Sequence, residues 1–354
     1  MKLLEKLILT PGVPGREHRV RELIKHEIKG LFDDVRTDAL GSLICTRKTR
    51  PKAGARRKSK PLRVMIAAHM DQIGFLVKHI DDKGYLRVNS VGGFDTRNLF
   101  ARTVTICPDL RDPRKDIIGV FNPAGKPIHV SSAEERKKIP EVNEFVIDVG
   151  LPAKQVQRKI KIGDMVVLHG PMYTIGKTVV GQCMDNRVAC WIAIRAMQKL
   201  VRLKHDCEIV VVFTVQEEVG LRGAQTSSFA VEPDIGIAVD TTLCLDTPGI
   251  PEDQRCTVQG EGVAIDVMDS GTICDLGLVE QMESIAKRKK IKHQRSVMAG
   301  GSTDAAQIQR AGPGRRTITL SCPTRYIHTV AEMVHLDDLH ACRDLLAAYL
   351  TDAG

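Results

Sequence analysis

One stretch, residues 208–224 (EIVVVFTVQEEVGLRGA), constrains the fold of this 354-residue chain more than any other. The residues from Ile209 to Val215 are almost all apolar and mostly β-branched or aromatic, which is typical of a strand buried on both faces of a parallel sheet. Gln216, Glu217 and Glu218 follow directly. Ligand and catalytic sites of open α/β sheets lie beyond the carboxyl ends of the strands, so these acids mark a candidate site.

The two adjacent glutamates need a compensating positive charge. Neighbouring carboxylates repel each other, and near a core they are tolerated only if something positive neutralises at least one of them. A metal ion is the strongest candidate for that charge. The alternative is a solvated pair of glutamates that caps the following helix.

Length and composition predict a soluble protein of two domains. The chain is too long for one ordinary core, and its 43% hydrophobic and 27% charged residues are typical of globular proteins. No apolar run reaches membrane-spanning length, and the amphipathic start MKLLEKLILTPGVPGREH is broken by prolines, unlike a signal peptide. We therefore expect a cytoplasmic protein with no membrane partner. The ten cysteines form no CxxC pair, which favours reduced thiols over disulfides.

A basic segment, residues 47–63 (RKTRPKAGARRKSKPLR), contains nine Lys or Arg residues. Its nine positive charges equal the net charge of the whole chain, +9. Its Pro, Gly and Ser content predicts a solvated hairpin loop, with binding of phosphate or of an acidic partner as the alternative. No RNA-binding motif accompanies it, and aromatic residues make up only 4% of the chain. Nucleic acid is therefore not an expected partner.

The order of the elements predicts an α/β fold with a mixed sheet flanked by helices and with an inserted small β-barrel or sandwich. Residues 1–32 show the periodicity of helices. The pattern of residues 73–165 predicts short strands with alternating side chains, KPIHVSS among them, separated by Gly, Pro and Asp turns. Strands and helices alternate again from about residue 166. We expect one domain built from residues 1–72 and 166–354, and a second, inserted domain at residues 73–165.

A second strand, in PLRVMIAAHMDQIGFLV, ends on His69, Met70 and Asp71. Alternate residues of a strand point the same way, so His69 and Asp71 share a face. That arrangement suits an imidazole that binds metal and is oriented by a carboxylate behind it. An ordinary polar end of a strand is the alternative.

Further polar residues follow apolar segments elsewhere in the chain. Asp185 and Asn186 begin an apolar helix, where capping of the helix is the alternative interpretation. The strand DIGIAVDTT is expected to end on Asp240, and His328 lies in RYIHTVAEM.

Five residues at strand ends or turns are thus candidate metal ligands: His69, Asp185, Glu218, Asp240 and His328. Two imidazoles and three carboxylates suit two divalent ions such as zinc, cobalt or manganese. If Asp185 bridges, each ion receives one His and one further carboxylate and leaves room for a shared water. Glu217 stands next to a ligand but is expected to face the other way, where it can take the proton of that water.

These segments resemble the M42 family of metallo-aminopeptidases, which includes the glutamyl aminopeptidases and TET-type enzymes. The resemblance covers essentially the whole chain, and it rests on motifs that occur in order: AAHMDQIGF, GQCMDNRVAC, VQEEVGLRGA, AVDTT, GGSTDA and RYIHT. It implies two metal ions per subunit, one held by His69 and Asp240 and one by Glu218 and His328. Asp185 would bridge them, Glu217 would be the catalytic base, and Asp71 would support His69.

The resemblance also implies an assembly, because the inserted β domain supports oligomers in such families and TET-type members form a hollow tetrahedron of twelve subunits. We therefore expect a homo-oligomer, either a dodecamer or an assembly built from dimers. Three departures from the family pattern are present: Gln72 where Glu is usual, a longer basic segment at 47–63, and TVAEM after His328. They bear on substrate specificity and leave every proposed ligand in place.

The expected function is removal of N-terminal residues from short peptides by a dinuclear metal-dependent aminopeptidase. A metal-dependent deacylase or carboxypeptidase could use the same ligands, but it would act on N-acylated amino acids or bind a free carboxylate. A scaffold that binds nucleic acid through the basic loop and keeps a relic site is the third hypothesis, against which the intact Glu217 argues.

Overall fold

The computed structural model describes residues 1–51 and 60–353. The central residues of the basic segment, 52–59, lie outside that range. The prediction of a hairpin is wrong, because the flanking strands Leu43–Arg47 and Arg63–His69 are not neighbours in the sheet and Glu208–Thr214 lies between them. The α-helices of the described residues are α1 (Lys2–Leu9), α2 (His18–Glu27), α3 (Ala133–Lys137), α4 (Ala153–Lys159), α5 (Met184–Leu200), α6 (Arg222–Val231), α7 (Leu276–Lys289), α8 (Ala305–Gln309) and α9 (Leu336–Asp352).

The strands divide between a large sheet and a barrel. Those before the barrel are β1 (Asp34–Thr37), β2 (Leu43–Arg47) and β3 (Arg63–His69). The barrel strands are β4 (Gly74–Ile80), β5 (Leu86–Val91), β6 (Arg102–Cys107), β7 (Ile117–Pro123), β8 (Phe145–Asp148) and β9 (Met165–Leu168). The later strands are β10 (Tyr173–Ile175), β11 (Thr178–Gly181), β12 (Glu208–Thr214), β13 (Ile235–Leu243), β14 (Val263–Met268), β15 (His293–Val297), β16 (Arg316–Arg325) and β17 (Glu332–His335).

The large sheet is mixed, as predicted, and its centre is parallel. Over the described residues it has eleven strands in the order β1-β2-β12-β3-β13-β16-β17-β11-β10, with β14 and β15 attached through β16. The strands β12, β3, β13 and β16 run parallel to one another. Their carboxyl ends therefore lie at one edge of the sheet, where the predicted site residues follow them.

The run of apolar residues in β12 is explained by burial on both faces of the sheet. Ile209, Val211 and Phe213 belong to the main core, together with residues of α1, α5 and α9. Val210 and Val212 belong to a smaller core on the opposite face, with residues of α6 and α8. A strand covered by helices on both faces has no solvent side, so it shows no alternation of polar and apolar residues.

The strands β4-β5-β8-β7-β6-β9 close into a barrel. In its interior Phe121 contacts two other phenylalanines, with its ring centroid 5.1 Å from that of Phe75 and 5.0 Å from that of Phe145. The closing strand β9 pairs with both β4 and β6 and extends to residue 168, past the predicted limit of 165. The division of the chain into two domains remains a prediction.

The barrel region contains helical segments that its strand-like pattern does not predict. KPIHVSS is not a strand, since a 3-10 turn covers Ile128–Val130. The helix α3 follows, and its start is fixed by Ser132 and Glu135, each of whose side chains accepts the backbone N–H of the other. This S-x-x-E capping box is a sequence signal for a helix start.

All ten cysteines are unpaired, and all but Cys256 are buried, as expected for reduced thiols. Within the described residues, no helix combines the length and the apolar character needed to cross a membrane.

Candidate metal centre

The parallel register brings the predicted residues of β3 and β12 to one edge of the sheet. His69, the last residue of β3, lies opposite Thr214, the last residue of β12, and Glu217 and Glu218 follow within four positions. The position of Asp240 differs from the predicted one. The strand β13 continues to Leu243, so Asp240 lies inside the strand instead of at its end. The strand is longer because Thr241, Thr242 and Leu243 continue the ladder with β16.

Asp185 reaches the same place from the start of α5. The backbone of Asp185 and Asn186 is not helical, and Asn186 makes the capping contact, with its side-chain Oδ1 accepting the N–H of Ala189 at 3.2 Å. The carboxylate of Asp185 is therefore not used as a cap. Its Oδ1 lies 3.1 Å from His69 Nε2, and its Oδ2 lies 3.6 Å from His328 Nε2.

His328 lies between β16 and β17, at the mouth of the site, with 33% of its side chain exposed. Its backbone is left-handed, with φ of 63°, a conformation that costs a residue with a side chain about 1–3 kcal/mol. Its Nε2 lies 3.4 Å from Glu218 Oε2.

Asp185 is common to two groups of potential ligand atoms. One group is His69, Asp185 and Asp240, and the other is Asp185, Glu218 and His328; within each group the atoms lie within 4.8 Å of one another. A third group of the same kind joins His69 with Glu217 and Glu218. All five predicted ligands and the predicted base thus lie together, and their roles stay predictions.

The two adjacent glutamates do not diverge as the strand pattern predicts. An oxygen of each belongs to the third group, and Glu217 Oε2 lies 3.7 Å from His69 Nε2. The alternation rule fails because β12 ends at Thr214 and Gln216 is left-handed, with φ of 55°. The chain has already left the extended conformation when it reaches Glu217.

The electrostatics of this cluster fit a cationic occupant. Burial raises the pKa of Glu217 well above its ordinary value, against the opposing charge of His69, and the charges of Asp240 and Glu218 add to the rise. Burial also raises the pKa of Asp240 and of Glu218, and in both cases the charge of Asp185 contributes. Carboxylates crowded in this way are stabilised in their charged form by a nearby cation.

The donor set fits divalent metal ions as well. Imidazole nitrogens and carboxylate oxygens are ligands of zinc and of similar borderline ions. A buried oxygen of the cluster, Glu218 Oε1, has no hydrogen-bond partner among the described residues. The residues present are therefore suited to hold metal, with His69 Nε2 facing the carboxylates of Asp185, Glu217 and Asp240.

Asp71 lies behind His69, with its Oδ1 3.5 Å from His69 Nδ1. It has a further contact that the sequence does not reveal. Its two oxygens accept the backbone N–H groups of Glu217 and Glu218, each at 3.1 Å. One carboxylate after β3 therefore fixes the position of both glutamates after β12.

Two acids near the cluster were not identified from the sequence as functional residues. Glu332, which is 1% exposed, accepts the N–H of Asp185 at 3.0 Å and the N–H of His328 at 2.7 Å. Asp304, in the motif GGSTDA, is 1% exposed and accepts the hydroxyl of Thr214 at 2.5 Å. An acid placed in an apolar strand is the signal that could have drawn attention to Glu332.

Gln72, one of the departures from the family pattern, contacts a buried cation. Its Oε1 accepts a hydrogen bond from Arg187 Nη2 at 3.0 Å. The guanidinium of Arg187 also donates to the carbonyl oxygens of Leu7 and Thr10, at 2.8 and 3.1 Å. Gln72 therefore helps to hold the arginine that binds the N-terminal segment. It is not among the described residues that line the cavity beside the metal cluster.

Known proteins are similar to this chain over most of its length. A family model described as M42 glutamyl aminopeptidase matches residues 50–345. The lysyl aminopeptidase of Pyrococcus furiosus is 31% identical over 357 residues, which cover 99% of this chain and 96% of the relative.

Two solved structures have the same fold over nearly the whole chain. An aminopeptidase from the archaeon Desulfurococcus kamchatkensis superposes with a TM-score of 0.91 and 35% identity, covering 99% of this chain and 94% of its own. The TET1 peptidase of Pyrococcus horikoshii, which can assemble into a tetrahedron or a large octahedral shell, superposes with a TM-score of 0.85 and 30% identity over 99% of each chain. The chain therefore belongs to the M42 family of metal-dependent aminopeptidases.

Proposed function

We propose that this chain removes N-terminal residues from short peptides with two bound divalent metal ions, and that Glu217 is the general base. The observation that carries the proposal is the position of Asp185, which is shared by two groups of ligand atoms. One ion would be held by His69, Asp185 and Asp240, and the other by Glu218, His328 and Asp185. The two groups that share Asp185 contain five residues, more than the three protein ligands that a single catalytic zinc ion requires.

Zinc, cobalt and manganese are all compatible with these donors. When bound, such ions polarise the scissile carbonyl and lower the pKa of water. Glu217 completes the chemistry from the side of the protein. Its side chain lines the cavity, and its backbone is held by Asp71, so its carboxylate is positioned to take the proton of the attacking water. The same carboxylate can then deliver that proton to the leaving amine.

We also propose that the chain acts as a homo-oligomer, a dodecamer or an assembly built from dimers. The similarity to the TET1 peptidase supports this proposal. A second support is β10, the last strand in the sheet order, in which all three residues are exposed, with Tyr173 and Ile175 each 57% exposed. An exposed edge with apolar side chains is a surface that soluble proteins usually cover. The inserted barrel would contribute to the same assembly.

The function is tested with aminoacyl anilides and with N-acetylated amino acids, each assayed with zinc, cobalt or manganese. Cleavage of the anilides alone is expected, whereas cleavage of the N-acylated compounds alone would indicate a deacylase. Metal analysis of protein purified without chelator should approach two ions per chain. Full activity after exhaustive chelation would contradict the metal-dependent mechanism.

A further inference from the structure

A cavity of about 620 Å³ lies beside the metal cluster. Its lining includes the cluster itself and a set of apolar side chains, Leu221, Leu243, Met298 and Ile327, with glycines and hydroxyl residues between them. A cavity of this size accommodates one amino-acid side chain together with the reacting peptide group.

The apolar side chains are close in sequence to the proposed ligands. Leu243 is the last residue of β13, three positions after Asp240, and Ile327 directly precedes His328. The apolar lining of the cavity therefore adjoins the proposed metal ligands. Met298 forms a buried part of its wall, with its sulfur 3.7 Å from the hydroxyl of Thr242.

Outside the metal cluster, the described residues that line the cavity include no partner for a charged side chain. Among the described lining residues, none outside the metal cluster is acidic or basic. The cation nearest in sequence to the pocket wall is Arg222, which directly follows Leu221 and donates a hydrogen bond to Oε1 of Gln216 at 3.2 Å. Arg325, two positions before Ile327, donates hydrogen bonds to both oxygens of Asp246 at 2.6 Å. Under the proposed function, Asp185, Glu218 and Asp240 hold metal and Glu217 is the general base, so none of these acids is free to pair with a substrate side chain.

We infer that this site selects peptides whose N-terminal residue is neutral and apolar, of about the size of leucine or methionine. The inference rests on the proposed function and adds the substrate class to it. A Lys or Glu side chain would lose its hydration in this cavity and gain no opposite charge, which is costly for a buried ion. An apolar side chain gains from leaving water and loses nothing. The selection differs from those named in the family description, glutamyl, and in the lysyl relative.

The test is a panel of Leu, Met, Ala, Lys and Glu anilides with metal-loaded enzyme. We expect kcat/KM for the Leu and Met anilides to be at least about tenfold above the values for Lys and Glu. A Lys or Glu anilide cleaved as well as the Leu anilide would overturn the inference but leave the aminopeptidase function intact. No cleavage of any anilide by protein that holds its metal would contradict the proposed function itself.

A pair of variants tests the position of the pocket. Leu243→Asp places an acid in the wall, and Leu243→Asn makes the same change of size without the charge. The ratio of Lys to Leu anilide cleavage should rise at least about tenfold in the Asp variant relative to the Asn variant. Equal ratios in two variants with unchanged metal content would show that Leu243 does not contact the N-terminal side chain. If Leu243→Asp does not fold, Ile327→Asp against Ile327→Asn gives the same comparison.

Discussion

The backbone N–H of Glu217 donates a hydrogen bond to Oδ1 of Asp71, with 3.1 Å between nitrogen and oxygen. Because Oδ2 of the same buried carboxylate accepts the N–H of Glu218, Asp71→Asn leaves one of the two N–H groups facing an amide that cannot accept it. We expect the free energy of unfolding to fall by about 1–3 kcal/mol and kcat to fall with it. Denaturant unfolding and steady-state kinetics measure the two effects.

Asp81→Asn is the matched control for Asp71→Asn, since Asp81 also accepts two backbone N–H groups, but on the exposed surface and through one oxygen. It should leave kcat unchanged. An equal loss of activity in both variants would show that the contact between Asp71 and Glu217 has no special role.

Substitution of Glu217 and Glu218, one at a time, distinguishes their proposed roles as base and metal ligand. Glu217→Gln keeps shape but removes basicity, so kcat should fall by roughly 10²–10⁴ while metal content and substrate binding stay near normal. Glu218→Gln should weaken one metal ion, and its activity should recover in part at high metal concentration. Metal analysis beside kinetics distinguishes the two outcomes.

The opposite result, in which Glu217 binds metal and Glu218 does not, would contradict the proposed roles. An oxygen of each glutamate lies near His69, so the geometry alone permits either to be a ligand. Loss of a metal ion in Glu217→Gln, with both ions kept in Glu218→Gln, would exchange their roles. Wild-type kcat in Glu217→Gln would exclude it as the base.

Glu332 is predicted to matter for metal affinity, although it is not a proposed ligand. Its carboxylate holds the backbone of Asp185 and of His328, and a glutamine could accept only one of the two N–H groups. We expect Glu332→Gln to weaken metal binding about 10–100-fold, measured by competition with a chelating dye. Glu252→Gln, at a side chain that is 91% exposed, should leave metal affinity unchanged.

The buried carboxyl group of Asp266 should make the free energy of unfolding depend on pH. Burial raises the pKa of its carboxyl from 3.8 to about 7, despite the hydrogen bond from Ser321. Between about pH 4 and pH 7 the folded state keeps a proton that the unfolded chain releases, so stability falls as pH rises through this window. Asp266→Asn stays neutral, and we expect it to be more stable than the wild type by roughly 2–4 kcal/mol at pH 8 and about equal at pH 4.

The comparison of Asp266→Asn with the wild type is made by denaturant unfolding at equal metal concentration, so that the pH dependence of metal binding cancels. A variant that is no more stable than the wild type at pH 8 would show that Asp266 is not buried as a neutral acid.

The assembly is tested at the edge strand β10. The wild type should sediment as a large species, and Ile175→Lys should shift it toward smaller species, because the substitution puts a charge on an apolar edge. Thr174→Lys, the neighbouring exposed position on the other face of β10, is the control and should leave the assembly intact. A wild-type monomer that cleaves peptides at micromolar concentration would refute the need for assembly.

Much of the fold could be predicted because its signals are local. The apolar run of β12 predicted a strand buried on both faces, and the acids after it predicted where a site would lie. The segment KPIHVSS was predicted wrongly as a strand, because its alternating residues form a 3-10 turn at Ile128–Val130, and its last residue, Ser132, caps α3. The candidate ligands could also be named, because each occurs in a short motif at or near the end of an apolar segment.

By itself, the sequence determined the residue types that could hold metal and the elements that carry them. The tertiary structure alone decided which backbone groups those residues hold and which side chains line the cavity. Asp71 accepts the backbone N–H groups of Glu217 and Glu218, which are 146 and 147 positions away in the chain. Glu332 accepts the backbone N–H of Asp185, which is 147 positions away. A hydrogen bond requires donor and acceptor about 3 Å apart, and only the folded arrangement of β3, β12, α5 and β17 sets that separation.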